Sequence, residues 1–122
     1  MDNLQTHPYA RLLTVEQFNQ LLANGQASRE RGHDPLPVVK LFTPDAGATW
    51  LLSEIDPDEP DIAFGLCDLG LGCPELGYVS LSEIASLRGR MRLPVERDLY
   101  FMPNKTISDY ADEAHRHERI MA

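Results

Sequence analysis

At 122 residues the chain is one domain's worth of sequence, long enough to bury a core without help from metals or disulfides. Its 43% hydrophobic and 25% charged residues are ordinary for a soluble globular protein, and no run of eighteen apolar residues is present to cross a membrane. Nineteen acidic against eleven basic side chains give a formal charge of −8, which disfavours unaided binding to a phosphate backbone.

The opening MDNLQTHPYARLL has neither a basic start nor a continuous apolar core, so it does not read as a secretory signal and a cytoplasmic location is expected. It reads as a short loose start. Thr14 with Gln17 three positions on forms a capping signal, and Leu13 with Phe18 a hydrophobic staple. A helix is expected over 15–24, with Val15, Phe18, Leu21 and Leu22 on one face and Gly25 as its stop. The polar stretch QASRERGHDPLP at 26–37 reads as a surface connection.

VVKLF at 38–42 and TWLLSEI at 49–55 read as strands joined by a turn, and IAFGLC at 62–67 as a third. Strict alternation puts Trp50 and Leu52 on one face of the second strand, Leu51 and Ile55 on the other. The proline-rich acidic stretch at 56–61 is a turn between neighbours, so an antiparallel meander follows. After the loop DLGLGCPEL comes a short extended GYVS. Ser80 and Glu83 then match a capping box, Val79 and Ile84 a staple, and Gly89 is the expected stop of a second helix. A last helix is expected over about 108–121, capped by Ser108, with acids early and His115, Arg116, His117 and Arg119 late, as its dipole prefers. Its stripe of Tyr110, Ala111 and Ala114 is thin, which suggests loose docking or a partner.

The expected fold is α+β, a small, mainly antiparallel sheet of three to five strands with two or three packed helices. A single domain spans 1–122, its core at about 12–103. Glu54, Asp56, Asp58, Glu59 and Asp61 crowd five carboxylates into eight positions, but the glycine and closing glutamate of a calcium loop are missing. A solvated turn is the simpler reading, and no metal or other cofactor is expected. Cys67 and Cys73 read as reduced thiols without a catalytic signature. LGLGCPELG fails the dinucleotide-binding glycine pattern, and no zinc-protease, serine-hydrolase or kinase signature appears.

The remaining puzzle is LPVERDLYF at 93–101, where Glu96, Arg97 and Asp98 interrupt an apolar run. Embedded charges must be paired or solvated. Arg97 has candidate carboxylate partners in Glu54, Asp68, Glu75 and Glu83, giving a structural clasp as the expectation, and a ligand or partner contact as the alternative.

PELGYVSLSEI, then RG, then LPVERDLYF, together with LLT at 12–14, VVKLF, Trp50, the group Glu54, Asp56 and Pro57, and Phe64 to Leu66, resemble a family of small bacterial domains of unknown function carried on plasmids and conjugative elements. The resemblance covers roughly 12–103 and implies no activity, cofactor or catalytic residue, only a setting of mobile DNA. The loop with Leu71, Gly72 and Cys73 looks less regular than in that family. The resulting expectation is a non-enzymatic accessory or protein-binding module, with Glu75, Tyr78, Glu96, Arg97 and Asp98 as its ligand- or partner-contacting residues. An acidic mimic of DNA acting on a host defence enzyme, and a small hydrolase or transferase using the Glu/Arg/Asp cluster, are the alternatives.

Overall fold

The computed structural model describes residues 3–122. Five strands, β1 (Val39–Phe42), β2 (Thr49–Ile55), β3 (Ile62–Asp68), β4 (Glu75–Ser80) and β5 (Glu96–Arg97), form one antiparallel sheet in the order β4-β3-β2-β1-β5. Three helices, α1 (Val15–Arg31), α2 (Leu81–Ser86) and α3 (Ile107–His117), complete an α+β fold. The expected meander is β1 to β3, and β4 extends it.

One face of the sheet carries the larger core. Phe18 and Leu21 of α1 pack there with Trp50, Leu52 and Ile55 of β2, and with Leu81 and Ile84 of α2. Residues 4–13 belong to this core rather than hanging loose. Two short 3-10 turns, Leu4–Thr6 and Ala10–Leu12, bury Leu4, Tyr9 and Leu12, and the Tyr9 hydroxyl donates to the Pro60 carbonyl at 2.6 Å. Burying a large apolar side chain contributes about 1.5–3 kcal/mol, so these residues are part of what holds the sheet.

Helix α1 begins as expected, with the full reciprocal capping box between Thr14 and Gln17. It does not stop at Gly25. The helix runs on to Arg31, with Gly32 at φ 69° as its C-cap, and takes in half of the stretch expected as a surface connection. Gly25 instead sits where helix and sheet touch. A Cβ there would stand 1.9 Å from the Ile55 carbonyl oxygen, so its bare backbone lets α1 lie directly on β2.

Strict alternation also fails in β2. The pairing slips between Leu52 and Glu54, which leaves Ser53 as an extra residue of a bulge. Its polar groups are satisfied inside: the hydroxyl donates to the Phe64 carbonyl at 3.2 Å and its own carbonyl accepts from Asn24 at 2.9 Å. The slip returns Ile55 to the α1 face beside Trp50 and Leu52, whereas the sequence pattern places it with Leu51.

The opposite face is covered by α3, whose Ile107, Tyr110, Ala111 and Ala114 pack on Leu51 and Leu66. The thin stripe is therefore firmly docked, because alanines allow close approach and because both ends are tied down. Thr106, not Ser108, is the N-cap; Ser108 instead gives its amide (3.1 Å) and hydroxyl to Asp34, and the Ile107 amide donates to the Pro35 carbonyl at 2.8 Å. Beyond the helix, the Ile120 amide donates to Asp68 at 3.0 Å and Lys40 to the Ala122 carbonyl at 2.8 Å. In α2, Ser80 caps as expected, but the helix ends at Ser86 with Leu87 as C-cap, and Gly89 lies beyond it.

Candidate functional site

The five residues singled out from sequence fall on two sites. Glu75 and Tyr78 belong to β4; Glu96 and Arg97 form β5, with Asp98 immediately after. The strand order puts β4 and β5 at opposite edges, four strand spacings or roughly 19 Å apart. Glu75 and Tyr78 cannot act together with the Glu/Arg/Asp triplet on one small molecule.

At the β5 edge the triplet does not form the expected clasp. Arg97 is half-buried beside Leu41 on β1, and among the described residues it makes no ion pair. Glu96 is exposed, and Asp98 pairs with Lys40 at 3.5 Å while accepting the Tyr100 amide at 2.8 Å. The arginine that ties this segment down is Arg11, from the other end of the chain, which donates to the Val95 carbonyl at 2.7 Å and the Ala85 carbonyl at 2.9 Å. The five N–H donors of arginine can bridge two backbone carbonyls as well as a carboxylate, and no local signal near Arg11 announces it. Past the triplet, Leu99, Tyr100 and Met102 are left in solvent, Tyr100 at 89% exposure.

At the β4 edge the register builds a transverse row. Glu54 of β2 lies opposite Phe64 of β3, and Phe64 opposite Tyr78 of β4. The two rings meet edge to face, with centroids 5.0 Å apart at 60°, and Tyr78 keeps 73% of its surface exposed. The last turns of α1 bring Ser28 and Arg29 to the row, enclosing with Glu54, Asp56, Phe64 and Tyr78 a cleft of about 280 Å³. Sequence reasoning misses these α1 residues because Gly25 has the look of a helix stop.

Charges in the cleft are unevenly matched. Arg29 is held by Asp56 and by Asp58, each at 2.8 Å. Glu54 has no ion pair among the described residues. Burial pushes its carboxyl above the ordinary range, against the opposing pull of the Ser28 hydroxyl and His33. Asp61 turns away to α2, where it accepts the Ser80 hydroxyl at 2.6 Å and the Ser82 amide at 2.9 Å. Burial raises it, but these bonds outweigh burial and hold it below the usual carboxylate value. The acidic run is thus divided among an arginine, a helix start and the cleft.

The outer edge of β4 bonds to no other strand, and no helix or loop amide among the described residues pairs with it. Leu76 on the strand and Leu69 and Leu71 on the loop before it are exposed. Among the described residues, no three His, Cys, Asp or Glu side chains gather as a metal site, and no helix is long and apolar enough to cross a membrane. Cys67 and Cys73 are both free; burial pushes the Cys67 thiol up to about 11, and Cys73 is exposed. His115 and His117 stand exposed in the last turn of α3.

The sequence pattern of the family described as Protein of unknown function (DUF2958) matches residues 12–121, and the chain belongs to that family. Neither the curated proteins nor the solved structures contain a match.

Proposed function

We propose that this member of a family of unknown function is a non-enzymatic protein-binding module, an accessory of mobile genetic elements acting in the cytoplasm, which takes an extended segment of a protein partner along the open edge of β4. The observation that carries this is the edge itself. Native proteins blunt exposed edges with lysines, prolines or bulges. Within β4 there is none of these: its sequence ELGYVS is charged only at Glu75, at the end next to Pro74, and leaves Tyr78 largely and Leu76 partly in solvent. Backbone pairing on such an edge supplies affinity, and the alternate side chains supply selectivity. The mobile-element setting is supported by the resemblance of the PELGYVSLSEI and LPVERDLYF strings.

The alternatives have less support. A mimic of DNA needs its carboxylates free and aligned, and Asp56, Asp58 and Asp61 are held by Arg29, Ser80 and Ser82. A hydrolase or transferase needs its groups to converge in a cleft. Glu75 and Tyr78 sit at the opposite edge of the sheet from Glu96, Arg97 and Asp98, and within that triplet Glu96 is exposed while Asp98 is taken up by Lys40 and the Tyr100 amide.

The test is a photo-crosslinking residue at position 78, expressed in the native host, followed by hydrogen exchange on the pure complex with the protein it captures. Slowed exchange across residues 75–80 is expected. A complex that leaves those amides unprotected, or turnover of nucleotides or nucleic acid by the pure chain, overturns the reading.

A further inference from the structure

We infer that the cleft beside Tyr78 is a socket for a single cationic side chain, a lysine or arginine carried by the partner segment on β4; the inference rests on reading β4 as the docking edge. Size argues first. At about 280 Å³ the cleft has room for one long side chain.

Charge argues second. The cleft's own cation, Arg29, is engaged by Asp56 and Asp58, so that group of three keeps a negative charge in excess. Glu54 adds another, half-buried and without an ion pair among the described residues. A partly desolvated carboxylate gains most from a cation brought to it with a hydrogen bond.

The rings argue third. Phe64 meets Tyr78 edge to face, and Tyr78 at 73% exposure keeps an open π face at the mouth of the cleft. A cation over that face is attracted by the ring's quadrupole, and an aliphatic lysine or arginine stem packs on the same ring. The row runs Glu54, Phe64, Tyr78 and ends on the strand whose edge is free, so a strand added to β4 delivers its side chains to the cleft mouth.

The test titrates the isotopically labelled full chain with N-acetyl-arginine amide and N-acetyl-lysine amide, using the neutral citrulline amide as control, and follows amide resonances. Saturable shifts at residues 54, 64 and 77–79 are expected with the cations and not with citrulline. Glu54→Gln should weaken the cations about tenfold, Tyr78→Ala comparably, and Tyr78→Phe should restore most of the binding. Equal shifts with citrulline, or undiminished affinity in Glu54→Gln, overturn the socket. The docking edge is scored separately. A captured partner that protects 75–80 equally well in Glu54→Gln removes the socket and leaves the edge; cation binding with no protection of 75–80 removes the edge reading, and with it the delivery of the cation by a strand on β4.

Discussion

Gly25 and Ile55 meet backbone to backbone. A Cβ on Gly25 would lie 1.9 Å from the Ile55 carbonyl oxygen and 3.0 Å from its carbon, with Pro57 at 3.3 Å. Neither a helix interior nor a strand carbonyl can shift far without breaking its own hydrogen bonds.

Gly25→Ala is therefore expected to destabilise. Alanine gains about 1 kcal/mol of helix propensity over glycine, but forcing the helix off the sheet costs more, for a net loss of about 2 kcal/mol. Denaturant unfolding measures it. A midpoint equal to or above that of the parent would show that α1 is not pinned to β2 in solution.

Gly89 and Asp45 are coupled in the same manner, through a side chain. The Asp45 carboxylate accepts the amides of Met91 (2.6 Å) and Leu93 (3.3 Å) through Oδ2, while its buried Oδ1 has no hydrogen-bond partner among the described residues and would stand 1.6 Å from a Cβ on Gly89. Gly89→Ala should cost about 2 kcal/mol in the parent and clearly less once Asp45→Ala has vacated the space. A double-mutant cycle with additive effects would dismiss the coupling.

Three carboxyls set expectations for pH. Burial leads the rise of Glu54, so the folded state holds that proton to higher pH than the unfolded chain, and stability falls as pH climbs through the raised value. Glu54→Gln should remove that loss and melt higher than the parent near neutrality. Asp34 is lowered, chiefly by the Ser108 hydroxyl, and Asp61 is lowered because Ser80 and Ser82 outweigh its burial. Their contribution is present above the ordinary 3.8 and is lost as pH falls through the depressed values. Asp61→Asn should accordingly lower the melting temperature at neutral pH, with the gap to the parent closing in acid. Melting curves from pH 2 to about 8 would show parallel profiles if these groups were not linked to folding.

The two thiols should separate by rate. Burial takes Cys67 to about 11, leaving almost no thiolate at pH 8, whereas Cys73 is exposed. A chromogenic disulfide reagent should titrate one thiol quickly in native protein and the second only on unfolding. Two fast equivalents would mean that β3 opens readily.

Much of this architecture is written locally. Thr14, Gln17 and Ser80 cap where their spacing says they should, and β1 to β3 are readable as strands because each is a short apolar run bounded by turn residues. The failures share a cause, which is information held at a distance. A glycine after an apolar stripe looks the same whether it ends a helix or, like Gly25, admits a neighbouring strand. Ser53 is not marked as a bulge residue until Asn24 and Phe64 are seen to satisfy it. The site is half visible in the sequence: Tyr78 stands out in PELGY, but Glu54 is lost in an acidic run and Ser28 and Arg29 in what reads as a loop, while Glu75, three positions before Tyr78, does not line the cleft. Arg97 draws attention that belongs to Arg11, because only the folded chain brings position 11 to the carbonyls of 85 and 95.

The late fastening of α3 bears on how the polypeptide is made. Its moorings at Asp34, Pro35, Lys40 and Asp68 are all translated before the helix itself. On the ribosome, Leu51 and Leu66 stay wetted until positions 107–120 clear the exit tunnel, so the nascent sheet waits with one oily side uncovered. Synonymous codons that slow translation just before Ile107 would lengthen that wait and raise the burden on chaperones, without altering a single amino acid.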